Sequence, residues 1–283
     1  MTAQELVSKM KKRPFVSNAV LKLVNLLEQP AFSNHEVVQA IKGDRVLAAR
    51  LLHACNSPDF GLKNPVSSVD QAVSLLGRQQ ILRIMLTLGF GKAMAVPLPG
   101  YAVEADELWR HSLATATAAE TVVGNITDLN AKPIAAFTVG LLHDIGKVVL
   151  SQALTPEVQA DMRNRIERDH HPRSEAEKEV LGTDHAEVGG CLLQSWQVPE
   201  EIVEAVANHH QPVLEPRPRL SVVTHLANYV AHLAGSAPGW DAYAIRMDPR
   251  VNRAFNLTED RLENIMITVR ESFNRVDQFM TLE

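Results

Sequence analysis

Apolar side chains in this chain recur at intervals of three and four and nowhere alternate with polar ones over a run of strand length. A period near 3.6 buries one face of a helix, whereas a half-buried strand needs a period of two, so the pattern calls for an all-α fold. Val20, Leu23, Val24 and Leu27 form the first clear stripe, which stops at Gln29-Pro30. Ser33-Asn34-His35-Glu36 has the form of a capping box opening a helix through Val37, Val38 and Ile41. Leu47, Leu51, Leu52 and Cys55 mark the next face, ended by Asn56-Ser57-Pro58. A second box, Ser68-Val69-Asp70-Gln71, starts a helix that Gly77 breaks, and the nearly all-apolar run 81–88 reads as a buried helix.

Pro97, Pro99 and Gly100 interrupt the chain. Longer helices are expected beyond them, over 104–123, 133–154, 155–168, 184–196, 199–209, 220–233 and 259–280, with a Pro-rich link over 211–218 and a loop over 235–239. This divides the chain into an N-terminal helical part (1–97), a core (98–233) and a C-terminal helical extension (234–283), to which no function is assigned. In the last helix Leu262, Ile265, Ile267, Val269 and Phe273 either complete the core, which base rates favour, or offer a homodimer surface.

Composition narrows the partners. The charged fraction is 22 % and the net charge −5, with Lys and Arg interspersed among acids, so no phosphate-tracking surface for nucleic acid is expected. The one basic cluster, Lys9-Met10-Lys11-Lys12-Arg13, reads as a solvated helix end. No apolar run approaches the roughly 20 residues that span a bilayer, and the polar N-terminus does not read as a signal peptide, so no membrane partner is expected. Cys55 and Cys191 lie far apart in apolar patterns and read as free thiols of a reducing, cytoplasmic setting.

The chemistry lies in the eleven histidines. Glu107 and His111, four apart, share a helix face. His143-Asp144 is a polar pair in the apolar run Leu141-Leu142-His143-Asp144-Ile145-Gly146-Lys147, costly to bury without a partner. His185 stands near a helix start and His209-His210 at a helix end. Imidazole with carboxylate suits Fe, Mn, Zn, Ni or Co. Asp144 has two oxygens with which to bridge ions, and Lys147 is placed to steady a phosphoryl oxygen. Each residue taken alone has an ordinary reading. Gly146 permits close packing, Lys147 is a surface lysine, His53 and His225 are satisfied interior imidazoles, and His35, His170, His171 and His232 are solvated.

Together these motifs resemble the HDOD domain family, a relative of the HD and HD-GYP phosphohydrolases, over roughly residues 13–233. Gly43-Asp44-Arg45-Val46-Leu47, Asn56 to Gly61 and Val66 to Gly77 carry the likeness in the first half. Leu108 to Ser112, Leu142 to Lys147, Asp184 to Gly189, Trp196 to Pro199 and His209 to Pro212 carry it in the second. The resemblance implies a multi-helix HD-type core with an N-terminal helical subdomain. It implies Glu107, His111, His143, Asp144, His185, His209 and His210 as ligands of one or two divalent ions, iron or manganese ahead of zinc or nickel. Asp144 and Lys147 are its catalytic candidates. Asn228 stands where an aspartate is expected, a neutral amide that can still coordinate, and no Gly-Tyr-Pro stretch follows His209-His210. The function implied is a bacterial signal-transduction module acting on a signalling protein or nucleotide-type ligand. The alternative is a metal-dependent phosphohydrolase of a nucleotide or cyclic dinucleotide.

Overall fold

The computed structural model describes residues 1–280 apart from 28, 30, 127, 128, 130, 169, 216–218 and 240–244, and for 59 and 272–280 it describes the backbone alone. Pro30 and Pro218, and the Phe273 side chain, fall outside these. Among the described residues all regular structure is helical apart from one isolated β-bridge between Leu98 and Val103. In chain order the α-helices are α1 (Ala3–Lys9), α2 (Asn18–Leu26), α3 (Asn34–Lys42), α4 (Arg45–Cys55), α5 (Val69–Met94), α6 (Glu107–Asn125), α7 (Pro133–Leu142) and α8 (Gly146–Leu150). They continue with α9 (Pro156–Glu167), α10 (Arg173–Leu181), α11 (His185–Ser195), α12 (Glu200–Ala207), α13 (Leu220–Leu233), α14 (Pro249–Phe255) and α15 (Glu259–Met280).

Contacts divide the chain into two compact units. The smaller is built on Phe15–Ala93. The expected capping box at Ser33 and Glu36 is present in both directions. At the second box Ser68 caps Gln71 N–H, but the Gln71 side chain reaches Ser67 rather than Ser68. Gly77 takes φ 76° inside α5, a left-handed value that kinks the helix at the predicted break. His53 is exposed rather than interior, because the buried stripe of α4 is Leu47, Leu51 and Cys55 and residue 53 lies on the opposite face.

The larger unit comprises Met1–Pro14 and Met94–Phe273. Helix α6 packs against α7 and α13, its alanines Ala114, Ala116, Ala118 and Ala119 letting the backbones approach. Helix α11 packs against α8 and α12, and α1 lies on α8 and α11. From α15, Ile265 and Val269 are buried, whereas Ile267 is half exposed. The run 133–150 is apolar enough by composition to cross a membrane, but 94 % of it is buried inside the protein.

That run is not one helix, as its sequence suggests. It breaks after Leu142 into a tightened turn with Ile145 N–H on the Leu142 carbonyl and Lys147 N–H on the Asp144 carbonyl. Two helices unforeseen in the sequence are α10 and α14, whose segments carry no apolar stripe long enough to announce them.

Helices α8 and α11 touch at Gly146, where a Cβ would lie 1.9 Å from the His185 carbonyl oxygen and 2.6 Å from Gly189 N. The obstructing atoms are backbone and cannot rotate away, so this glycine sets the spacing between the helix carrying Lys147 and the one carrying His185. Gly146→Ala is expected to destabilise the protein by about 3 kcal/mol, the upper end of overpacking costs. Gly124→Ala on α6, where nothing lies within 4 Å, is expected to be neutral or slightly stabilising. Urea unfolding of the two variants checks the contrast.

Candidate metal centre

Helix ends bring the site together. His111 comes from the second turn of α6, His143 and Asp144 from the turn between α7 and α8, and Lys147 from α8. His185 opens α11, and His209-His210 follow α12. His111, His143, Asp144, Lys147, His185 and His209 are all buried, with the Asp144 carboxylate at their middle. Its Oδ2 lies 3.6 Å from His111 Nε2, 3.4 Å from His143 Nε2 and 2.7 Å from Lys147 Nζ. Its Oδ1 lies 3.3 Å from His185 Nε2 and 4.0 Å from His209 Nε2. The donor atoms fall into two groups, His111–His143–Asp144 and His185–His209–His210, each gathered within 4.8 Å.

Four imidazoles are held with Nε2 turned inward. His111 Nδ1 lies 2.7 Å from the Ser236 carbonyl, His143 Nδ1 2.8 Å from that of Gly140, and His209 Nδ1 2.7 Å from that of Val206. His185 Nδ1 lies 2.6 Å from Glu177 Oε2. Carbonyl and carboxylate oxygens only accept, so each Nδ1 carries the proton and donates it. In His111, His143 and His209 the Nε2 lone pair is thereby left free. Among the described residues those three buried Nε2 atoms have no hydrogen-bond partner, and Asp144 Oδ1 has no contact shorter than the 3.3 Å to His185. Orphaned acceptors are costly to bury, and a divalent cation at a donor group satisfies those it contains. The residues therefore fit a metal.

Charge agrees. Burial pushes the His111 and His209 imidazoles well below their ordinary range and His143 down to about 4, so all three are neutral ligands at pH 7. Burial alone would raise the Asp144 carboxyl, but His143 and Lys147 beside it hold it well below the ordinary range. Burial also pulls His185 down, yet Glu177 and Asp144 reverse this and raise it to about 10. His210 Nε2 faces His185 Nε2 at 2.9 Å, and burial against His209 and His185 pushes His210 well down. The shared proton therefore sits on His185 Nε2, and loading the site requires it to leave.

Two expected ligands stand elsewhere. Glu107 is exposed, and its carboxylate accepts the Glu104 N–H at 2.8 Å. That bond, from a residue just ahead of α6, holds the carboxylate at the helix start although Glu107 shares a face with His111. Asn228, on α13, is buried with Oδ1 unpartnered, and it lines a cavity beside the centre instead of joining either donor group. Two histidines read as ordinary divide. His225 is a satisfied interior imidazole, bonded to the His209 carbonyl and accepting Asp248 N–H, each at 2.9 Å. His232 is not solvated. It is half-buried, its ring centroid 4.6 Å from that of His111, and its Nδ1–H donates to the Asn228 carbonyl. The spacing 225, 228, 232 on one helix face is the signal that points to it.

The cavity, about 360 Å³, is lined by Lys147, Arg173, His185, His210, Asn228 and Arg246, among others. Lys147, taken alone as a surface lysine, is buried and paired with Asp144.

Comparison with known proteins places this geometry. The profile of the HDOD domain family matches residues 14–212, well over half of the chain, and the chain belongs to that family. A Treponema pallidum protein described only as uncharacterized is 25 % identical over 228 residues, covering 80 % of this chain. The chain spans 43 % of the length of that relative. A candidate signal-transduction protein from Marinobacter aquaeolei superposes with TM-score 0.77 at 20 % identity, covering 99 % of this chain and 64 % of its own. A candidate phosphohydrolase from Shewanella amazonensis superposes with TM-score 0.68 at 24 % identity, covering 98 % of each. At these identities the likeness is one of fold, the all-helical HD-type architecture.

The Asp144–Lys147 pair makes a prediction that needs no ion. In chelator-treated protein Asp144→Ala takes the carboxylate from a buried ammonium and is expected to cost about 3–5 kcal/mol. Adding Lys147→Met is expected to recover most of the loss. Urea unfolding of the single and double variants measures the coupling.

Proposed function

We propose that this HDOD protein is a signal-transduction module whose buried imidazole centre holds one divalent cation, iron or manganese ahead of zinc or nickel. In this reading it responds to a nucleotide-type ligand or a signalling partner instead of turning a substrate over. The observation that carries the reading is the charge count. Among the side chains in the two donor groups only Asp144 is anionic, and its Oδ2 is engaged by Lys147 at 2.7 Å. Two divalent ions would bring four positive charges to a buried place with one contacting carboxylate, where repulsion is weakly screened. Asn228, with no charge, does nothing to offset it.

A bound divalent ion supplies Lewis acidity toward a phosphoryl or carboxyl oxygen. The chain supplies the rest. His111, His143 and His209 present neutral Nε2 atoms held by their Nδ1 hydrogen bonds, and Asp144 supplies the anion. The adjoining cavity has room for a small ligand, with Lys147, Arg173 and Arg246 among the residues that line it.

The second reading, a metal-dependent phosphohydrolase, draws on that same cavity. Lys147 lines it beside His185, so a phosphate entering would meet a cation next to the centre.

Elemental analysis of the purified protein, run beside assays on bis(p-nitrophenyl) phosphate and on cyclic dinucleotides, separates the readings. The expected result is about one equivalent of a divalent transition metal, absent from Asp144→Ala, with hydrolysis no higher than that of the variant. Two equivalents, or turnover that disappears in Asp144→Ala, would overturn the regulatory reading in favour of the hydrolase.

A further inference from the structure

One buried carboxylate stands behind the centre. Glu177, on α10, has no exposed surface, and both of its oxygens are engaged. Oε2 accepts the His185 backbone N–H at 2.8 Å and the His185 Nδ1–H at 2.6 Å. Oε1 accepts the Tyr101 hydroxyl at 2.9 Å. Arg173, one turn earlier on α10, is buried with its guanidinium 5.1 Å from the centroid of the Tyr101 ring.

This arrangement sets His185 apart from the other imidazoles. His111, His143 and His209 donate Nδ1–H to neutral carbonyls, and only His185 donates to a carboxylate. A charged acceptor makes the stronger bond and leaves more electron density on the far nitrogen, which becomes the better donor. The second bond, from the His185 backbone N–H, ties the carboxylate to the first residue of α11, so the ring and its helix end are fixed by one group. Glu177 also places a second negative charge one imidazole away from Asp144 without using a coordination position. The direct donor groups hold no anion besides Asp144.

We infer that Glu177 is a positioning residue of the metal centre, acting through His185. The inference rests on the reading that the centre holds a divalent cation.

The test uses the full chain, stripped with chelator and titrated with Co²⁺, followed by visible absorption and calorimetry. Glu177→Gln keeps an acceptor for both His185 hydrogens and removes the charge. It is expected to weaken the first cobalt by about 10–100-fold and to shift its absorption bands. Far-UV circular dichroism should stay unchanged, and Glu177→Asp should restore part of the affinity. Folded Glu177→Gln that binds cobalt like the parent, with the same spectrum, overturns the inference and leaves the metal reading standing. A parent protein that binds no cobalt overturns both. If Glu177→Gln does not fold, Tyr101→Phe decides, since it keeps the charge and releases one tether. A severalfold loss of affinity with the fold intact supports the role, and unchanged affinity overturns it.

Discussion

The Asp144 carboxylate is the constraint around which the larger unit is arranged. A carboxylate taken out of water is tolerated only where cations and donors meet it at close range. Here the Lys147 ammonium meets Oδ2 together with the imidazoles of neighbouring His143 and of His111, and those of His185 and His209 face Oδ1. Bringing them together requires α6, α8, α11 and the end of α12 to converge on the turn after α7. That demand explains why the most apolar run in the chain is interrupted at residues 143–145, and why Gly146 lets α8 lie against the start of α11.

The same local device orients the imidazoles more than once. The last carbonyls of a helix have no intrahelical donor. His143 stands just past α7 and takes the Gly140 carbonyl three residues back, and His209 stands just past α12 and takes that of Val206 in the same way. His111 uses the Ser236 carbonyl, which lies just beyond α13. Helix termini that would otherwise be buried unsatisfied thus hold the rings, and the rings turn Nε2 inward. Ser236 lies past the family-matched region, so the C-terminal part of the chain also supports the site.

Much of this was legible in the sequence because it follows from local pattern. The all-α class, the Ser33–Glu36 box, the break at Gly77 and the gathering of His111, His143, Asp144, His185, His209 and His210 all rest on spacing or motif. What stayed hidden depends on which polar residue the tertiary fold buries. Glu177 sits in Ser174-Glu175-Ala176-Glu177-Lys178-Glu179, where three glutamates look alike, and the buried face of α10 is itself mostly polar, so no apolar stripe singles one out. Glu107 had the right spacing from His111 but stands at a helix start, where the Glu104 N–H just ahead of the helix engages its carboxylate. His232 was discoverable, because it shares a helix face with Asn228, which the sequence reading singled out, and with His225.

The central claim is that these imidazoles and Asp144 hold a divalent cation. X-ray absorption at the metal edge of the purified protein tests it most directly. The predicted spectrum shows a first shell of nitrogen and oxygen at bonding distance, with the outer-shell multiple scattering of several imidazoles. A protein without bound metal after reconstitution, or a bound ion with an oxygen-only shell and no imidazole scattering, would contradict it.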